Sequence, residues 1–376
     1  MLFGLKPWWK RRRQKISSCI IFAGYCIPFL FMAMSNRVAA QAGTAWPEAD
    51  KLFHSDPRWL GADGAFSVDL GRGRVLWMFG DTFVALKPGD TRASAAFVRN
   101  TVAIQTGYNP SHASIKFYWR TSEGHPSEIF PSEGQVWMWP ASGIRIGRTL
   151  ILFCTRVAPD SAKNSLGFKA VGWAAYRVTN PDEKPTAWTL KKIVENRGNV
   201  IMASAALRKD NFIYLLGISE PEHDLYLARL SVRAADQGKF DRLEWWSGRD
   251  WQTAASRRRP LIRTVETESS LQRDPLGNGF LEINSQGFGA TEIVMRHAPR
   301  LEGPWSGPKK IYHPLESDAP DAFVYAGKSH PELHGANLVL TYVANGDDKK
   351  VATDMSLYFP RFVRVELRSQ TPAMAK

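Results

Sequence analysis

RVLWMFGDTF, residues 74–83, is the stretch that decides the fold of this chain. Successive side chains of a β-strand point to opposite faces, and here the odd positions 75–79 and the even positions 76 and 78 are all apolar. A strand that is apolar on both faces is typical of one buried between two layers. The run ends in Asp81, which continues the odd-numbered face, so the sequence places a carboxylate at the end of a buried strand.

A second acid precedes this strand in ADGAFSVDL, residues 62–70, and Gly71-Arg72-Gly73 joins the two runs. Glycine on both sides of Arg72 favours a tight hairpin turn. A hairpin that is symmetric about Arg72 places Asp63 opposite Asp81. Directly opposed residues of an antiparallel pair have β-carbons roughly 4.5–5.5 Å apart. The sequence therefore predicts two neighbouring carboxyl groups at one end of a buried hairpin.

The composition favours an all-β protein. Aromatic residues make up 12% of the 376 residues, Trp alone occurs 14 times, and Gly and Pro are frequent. This usage is typical of many short strands joined by turns, and no long stretch after residue 40 has helical periodicity. All-β domains of this length often form one unit, so we predict a single domain over 41–376.

The first forty residues have the pattern of a secretory signal peptide. A basic stretch at 10–15 precedes an uncharged, largely apolar run at 16–35, and Val38-Ala39-Ala40 supplies small residues for cleavage. The apolar run is also about long enough to span a bilayer, so an uncleaved membrane anchor is the alternative. Both alternatives predict export. A cleaved protein would be periplasmic or secreted, and an uncleaved one would be anchored in the membrane.

Removal of the first forty residues on export would lower the net charge of the protein. The whole chain carries +13, but residues 1–40 hold seven Lys and Arg and no acid, which leaves +6 for residues 41–376. This mild excess and the absence of aromatic residues around Arg257-Arg258-Arg259 argue against a nucleic-acid partner. Cys154 is the one cysteine after residue 40, which excludes an intramolecular disulfide there, and its apolar run predicts a buried thiol.

The opening strand recurs along the chain in weaker form. Each copy is an apolar run that follows turn residues and ends in polar ones, and successive copies begin 59 to 74 residues apart. The copies are RVLWMFGDT (74–82), RTLILFCTR (148–156), NFIYLLGIS (211–219), NGFLEINS (278–285) and NLVLTYVAN (337–345). Further strand patterns follow each copy, which gives about four strands per unit. The sequence predicts a five-bladed β-propeller of four-stranded antiparallel blades, with these runs as inner or next-to-inner strands. A two-sheet sandwich is the alternative, but it gives no reason for a fivefold repeat.

Several motifs resemble those of a known family. They are ADGAFS, LWMFGDTF, ETESSL, APRLEGPW, YAGKSHPEL, LVLTYVANG and LYFPRFVRV. Together they resemble an exported bacterial family long catalogued as a domain of unknown function, some members of which are linked to endo-D-arabinofuranase activity on mycobacterial-type arabinan. The resemblance covers nearly all of residues 41–376 and implies a five-bladed propeller similar to arabinan- and fructan-cleaving glycosidases. Asp63 and Asp81 match the paired acids of that family in motif and spacing.

The acid pair suits glycoside hydrolysis, which generally uses one protonated and one ionised carboxyl group around the scissile bond. Two carboxyl groups held close together meet this need, because like charge raises the pKa of one of them. The alternative is that both residues cap turns. Glu268 precedes the fourth run at the position equivalent to Asp63, and is either a third acid of the site or part of an edge salt bridge.

Other polar and aromatic residues are candidates for substrate binding. His330 and Glu332 are too few to specify a metal site, so we predict no metal and no cofactor, and regard His330 as a hydrogen-bonding residue of the pocket. The remaining candidates lie near strand ends or before a proline, where the alternatives are bonding to loop backbone and core packing. They are Asn100, Asn284, Asn345, Arg361 and Trp139.

The sequence therefore favours an exported, monomeric glycoside hydrolase that cleaves a furanose-containing, arabinan-like polysaccharide at Asp63 and Asp81. The alternative is a carbohydrate-binding or cell-envelope scaffold propeller without catalysis. Two opposed acids favour the enzyme, because a binding module has little need of them. A sialidase-like propeller is a third possibility, but the chain shows neither an arginine triad nor Asp-boxes.

Overall fold

The computed structural model describes residues 38–40, 42–162, 166–287, 289–321 and 323–369, and antiparallel strands account for about half of them. The predicted signal peptide lies outside the described residues except for 38–40. Within the described ranges no helix is long and apolar enough to cross a membrane.

The strands of the first third are β1 (Val38–Ala40), β2 (Thr44–Ala45), β3 (Trp59–Ala62), β4 (Phe66–Gly71), β5 (Arg74–Phe79), β6 (Thr82–Val84), β7 (Ala96–Val98), β8 (Thr101–Thr106) and β9 (Ser114–Tyr118). The middle of the chain forms β10 (Arg120–Ser122), β11 (His125–Ser127), β12 (Trp137–Ile146), β13 (Thr149–Pro159), β14 (Phe168–Val178), β15 (Leu190–Asn196), β16 (Val200–Lys209), β17 (Phe212–Ser219), β18 (Leu225–Ser231), β19 (Glu244–Trp246) and β20 (Trp251–Gln252). The last third forms β21 (Ser269–Arg273), β22 (Phe280–Gln286), β23 (Glu292–Ala298), β24 (Lys309–Tyr312), β25 (Phe323–Ser329), β26 (Leu338–Asn345), β27 (Pro360–Val365) and β28 (Leu367–Ser369). The α-helices are short: α1 (Pro47–Asp50), α2 (Val232–Asp236) and α3 (Asp348–Thr353). Single 3₁₀ turns occur at Arg92–Ser94, Pro185–Ala187, Phe240–Arg242, Ala255–Arg257 and Leu315–Asp318.

The hairpin of β4 and β5 has the predicted register. Phe66 lies opposite Met78 and Asp69 lies opposite Val75, as expected for a turn centred on Arg72. All three turn residues, 71–73, have positive φ, a conformation that glycine adopts without steric cost. The position of Asp63 opposite Asp81 follows from this register.

Five antiparallel sheets of four or five strands form the body of the described chain. The first has the order β4-β5-β8-β9, the second β12-β13-β14-β15, the third β16-β17-β18-β19-β20 and the fourth β21-β22-β23-β24. The fifth, β25-β26-β27-β2, takes its last strand from near the N-terminus, because Thr44 pairs with Arg364. Each of the five repeated runs forms the second strand of a separate sheet. The first strand of each sheet is the one that precedes the run in the chain.

The two apolar faces of β5 explain how neighbouring sheets are held together. Leu76 and Met78 pack in one core cluster with Phe153 of the second sheet. On the other face, Trp77 lies 5.8 Å from Phe362 of the fifth sheet, ring centre to ring centre. Further clusters join the second sheet to the third, the third to the fourth and the fourth to the fifth. Burial of apolar side chains between sheets is therefore the main stabilising force, and the thiol of Cys154 lies buried within the first of these clusters.

Candidate active site

The acid pair lies where the first sheet begins. The backbone N–H of Gly80 donates to the Asp63 carbonyl at 3.1 Å, and the Asp63 N–H donates to the Asp81 carbonyl at 3.4 Å, so the two acidic segments run side by side. A side chain at residue 80 would overlap Oδ1 of Asp63. Glycine at this position is what allows the Asp63 carboxyl group to lie against the opposite strand.

Asp63 is half-buried and accepts a hydrogen bond from a tyrosine. The Tyr325 hydroxyl donates to Oδ2 at 3.0 Å, and Asn345 Nδ2 donates to the Tyr325 oxygen at 3.1 Å. A second tyrosine, Tyr358, donates to the backbone carbonyl of Asp81 at 3.1 Å. Burial raises the pKa of Asp63 to about 8, and the negative charge of Asp81 adds to the effect. Asp63 is thus a proton donor at neutral pH.

Asp81 has a different environment. Arg99 Nη1 lies 3.2 Å from its Oδ2, and the indole N–H of Trp139 donates to its Oδ1 at 3.1 Å. Burial raises the pKa of Asp81 to about 6, less than that of Asp63, because Arg99 and both hydrogen bonds favour the ionised form. The two carboxyl groups therefore have unequal environments, and the pKa of Asp63 is raised further than that of Asp81.

Glu268 is a third acid of the same site. It directly precedes β21, and its Oε2 lies 2.6 Å from Nζ of Lys328. Lys328 is only 1% exposed and also donates to the Gly64 and Ala326 carbonyl oxygens, which ties Glu268 to the backbone beside Asp63. Burial lowers the pKa of Lys328, whereas the adjacent Glu268 carboxylate opposes this effect.

Two more acids, Glu220 and Glu266, lie beside Glu268, and sequence reasoning missed them. The hydroxyl of Thr267 donates to Glu220 at 3.4 Å, and His223 lies 3.6 Å from the same carboxylate. Burial raises the pKa of Glu220 and of Glu266. The motif ETESSL was recognised for its resemblance, but its first glutamate was not assigned a place in the site.

Lys328 was missed as well, although β25 gives a signal for it. A lysine in a strand whose neighbours are small or apolar, two residues before a histidine, must either reach solvent or find buried partners. Tyr325 and Tyr358 gave no comparable signal, because they lie more than 260 residues from Asp63 in sequence.

Among the predicted substrate-binding residues, the structure brings Glu268, Asn345 and Trp139 to the acid pair. Three others lie at most 1% exposed and serve as internal hydrogen-bonding groups. Asn100 bonds loop backbone in both directions, through Nδ2 to the Phe130 carbonyl at 3.0 Å and through Oδ1 from the Phe130 N–H at 2.9 Å. Asn284 accepts from a buried arginine, Arg296, at 2.9 Å. Asn100 thus satisfies loop backbone, which was the alternative to sugar binding, and Asn284 bonds a buried side chain.

His330 is the third of these buried residues. It lies between Ser67, 2.5 Å from Nδ1, and Thr341, 2.7 Å from Nε2. Burial and the nearby Lys328 hold its pKa well below the usual range, so the ring is neutral. Arg361 lies on the fifth sheet, where its guanidinium bonds Ser356 and Glu316, away from the acid pair. In the described ranges no group of three or more His, Cys, Asp or Glu side chains is arranged to hold a metal ion.

Comparison with known proteins places the chain in a family and a fold. The family described as domain of unknown function (DUF5005) matches residues 48–367. No curated protein of known function matches the sequence.

Solved structures resemble the chain to different degrees. A protein of Bacteroides ovatus ATCC 8483 described as a candidate hydrolase has a TM-score of 0.70 at 18% identity, over 89% of this chain and 93% of that one, which shows a common fold. The catalytic domain of the GH62 α-L-arabinofuranosidase of Coprinopsis cinerea gives 0.44 at 11% identity, over 91% and 99%. The exo-β-1,3-galactanase of Phanerochaete chrysosporium gives 0.49 at 13%, over 87% and 64%. Structural neighbours of the chain thus include glycoside hydrolases.

Proposed function

The chain belongs to the DUF5005 family, and we propose that it is an exported glycoside hydrolase that cleaves a furanose-containing polysaccharide of the arabinan type. The observation that carries the proposal is the pair of neighbouring carboxyl groups with unequal pKa values, Asp63 and Asp81. The motifs that resemble endo-D-arabinofuranases suggest the substrate. The B. ovatus protein of the same fold, which is described as a candidate hydrolase, agrees with the reaction class.

The environments of the two acids assign their roles. Asp63, protonated at neutral pH, donates its proton to the glycosidic oxygen as the bond to the leaving sugar breaks. Asp81, held ionised beside Arg99, is the anionic partner that stabilises the positive charge developing on the other sugar. Both carboxyl groups are half-buried, so they are reachable from solvent while their charges remain only partly screened.

We further propose that the five sheets are the blades of a five-bladed propeller. The circular packing of sheet on sheet supports this arrangement, with the fifth sheet against the first. Glu268 directly precedes the first strand of one sheet, Asp63 lies three residues before the first strand of another, and Tyr325 lies near the start of a third. Residues from several blades therefore meet at one end of the innermost strands, which is where propeller domains place a central pocket.

Hydrolysis of defined polysaccharides by residues 41–376 tests the proposal. We expect release of reducing ends from arabinans, with galactans and fructans as comparison substrates. Asp63→Asn and Asp81→Asn preserve shape and remove one carboxyl group, so each should lower turnover by at least about 10²–10⁴-fold without unfolding the protein. Asp69→Asn is the matched control, because Asp69 is an exposed acid in β4, close to the turn at the other end of the hairpin from the acid pair.

Circular dichroism would show that all three variants are folded. Near wild-type turnover of both Asp63→Asn and Asp81→Asn would show that the acid pair is structural. Absence of hydrolysis on every polysaccharide would refute the enzyme and favour a carbohydrate-binding scaffold.

A further inference from the structure

An exposed aromatic side chain lies close to the acid pair. Phe97, in β7, is 50% exposed, which is unusual for a large apolar residue. The guanidinium carbon of Arg99 lies 5.2 Å from the centre of the Phe97 ring and 4.2 Å from that of Trp137. The planar guanidinium is thus stacked between two aromatic rings, which fixes its position without closing it off from solvent, since the Arg99 side chain is 37% exposed.

The row of rings continues beyond Arg99. Trp137 and Trp139 lie on the same face of β12, with ring centres 6.3 Å apart, and Trp139 lies 4.8 Å from Phe168 at the start of β14. Trp137 is only 7% exposed, whereas Trp139 and Phe168 are partly exposed. We call this row of five side chains the aromatic track: Phe97, Arg99, Trp137, Trp139 and Phe168.

The candidate catalytic carboxylate lies in the middle of the aromatic track. Arg99 and Trp139 both bond Asp81. The indole N–H of Trp139 donates to Oδ1, and the shortest contact of Arg99 is with Oδ2. Arg99 in turn contacts Phe97, and Trp139 contacts Phe168. The track therefore continues from both side chains that bond the residue at which we place the chemistry.

We propose that the aromatic track is the surface on which a polysaccharide chain lies, with sugar rings bound on both sides of Asp81. This inference rests on the proposed hydrolase function and adds the binding surface. Sugar rings present apolar C–H faces that pack on aromatic rings and hydroxyl groups that bond guanidinium and indole N–H groups.

The protein also contains a matched arrangement that serves as a control. Arg229 lies 4.2 Å from the ring centres of both Phe212 and Trp251, and Glu244 bonds this arginine at 2.7 Å. Phe212 begins β17, at the end of the third sheet opposite to Glu220 and the acid cluster. The same Phe–Arg–Trp chemistry thus occurs where no substrate is proposed.

Affinity electrophoresis in gels cast with soluble arabinan, arabinogalactan or arabinoxylan tests the aromatic track. The protein carries Asp63→Asn, so that the polysaccharide is not consumed. We expect retardation in at least one gel, its loss with Phe97→Ala or Phe168→Ala, and its retention with Phe212→Ala. Urea unfolding midpoints would confirm that the variants are folded. No retardation in any gel, or equal retardation of all variants, would overturn the proposal.

Kinetics of the active protein distinguish a failure of the aromatic track from a failure of the proposed hydrolase function. On a polymer that the wild type cleaves, Phe97→Ala should raise KM about tenfold with little change in kcat, as expected for loss of roughly 1.4 kcal/mol of uniform binding. Unchanged KM with intact hydrolysis refutes the aromatic track and keeps the function. Track-dependent retardation without hydrolysis refutes the function and keeps the track.

Discussion

Replacing Asp63 by Asn should abolish activity and yet make the folded protein more stable, increasingly so as the pH rises. An unfolded chain loses the Asp63 proton near its ordinary pKa of 3.8, whereas the folded chain keeps it up to about pH 8. Between these values the folded state binds more protons than the unfolded state, so this group lowers the free energy of unfolding as the pH rises. Asparagine does not ionise, so the free energy of unfolding of the variant is not lowered in this way.

The size of the effect follows from the same shift. A displacement of the pKa from 3.8 to about 8 corresponds to at most roughly 5–6 kcal/mol. The carboxyl group is only half-buried and its charge is shared with Asp81, so we expect about 1–3 kcal/mol after solvent screening. The stability gain should develop between about pH 4 and pH 8 and be constant above that range.

Urea unfolding of the wild type and the variant at several pH values from 4.5 to 8.5 measures this difference. Asp182→Asn is a control of opposite sign, because Arg145 and Arg74 hold the pKa of Asp182 below its usual range. That variant should be less stable than the wild type by an amount that does not change with pH above about pH 5. A pH-independent difference for Asp63→Asn would refute the reasoning, since it would mean that Asp63 ionises normally in the folded state.

Three further predictions concern the surroundings of the acid pair and the core. Gly80→Ala should displace the Asp63 carboxyl group and lower kcat at least about tenfold. Gly307→Ala is the control, because residue 307 has open space around it and kcat should not change. Equal values of kcat for the two variants would contradict the close approach at residue 80. Lys328→Met removes a cation beside Asp63 and Glu268, so the pKa of Asp63 should rise and the basic limb of the pH–rate profile should move up by roughly 0.5–1 pH unit; an unmoved limb would show that the lysine has no electrostatic role. Cys154 should resist alkylation by iodoacetamide until urea unfolds the protein, because burial raises the pKa of its thiol; rapid modification of the native protein would contradict its placement in the core.

The positions of the predicted site residues show where sequence reasoning reached its limit. Asn100, Asn345 and Trp139 all lie near the ends or starts of strands, and alternation along a strand says only which side a residue faces. It does not say which loop or sheet covers that side. Asn100 proved to be covered by a loop, whereas Asn345 and Trp139 face the acid pair.

The sequence by itself determined the all-β class, the placement of the five repeated runs in five sheets, and the position of Asp63 opposite Asp81. Each depends on contacts between residues close in the chain, because the period of two and the Gly-Arg-Gly turn set a hairpin register without help from other segments. Only the tertiary structure decided which groups surround the two acids. Tyr325 and Lys328 approach the Asp63–Gly64 segment from more than 260 residues away, and their approach depends on how the fifth sheet packs against the first. A carboxyl group's pKa is set by whatever lies within a few ångströms of it in space, and neighbouring sequence does not specify that environment.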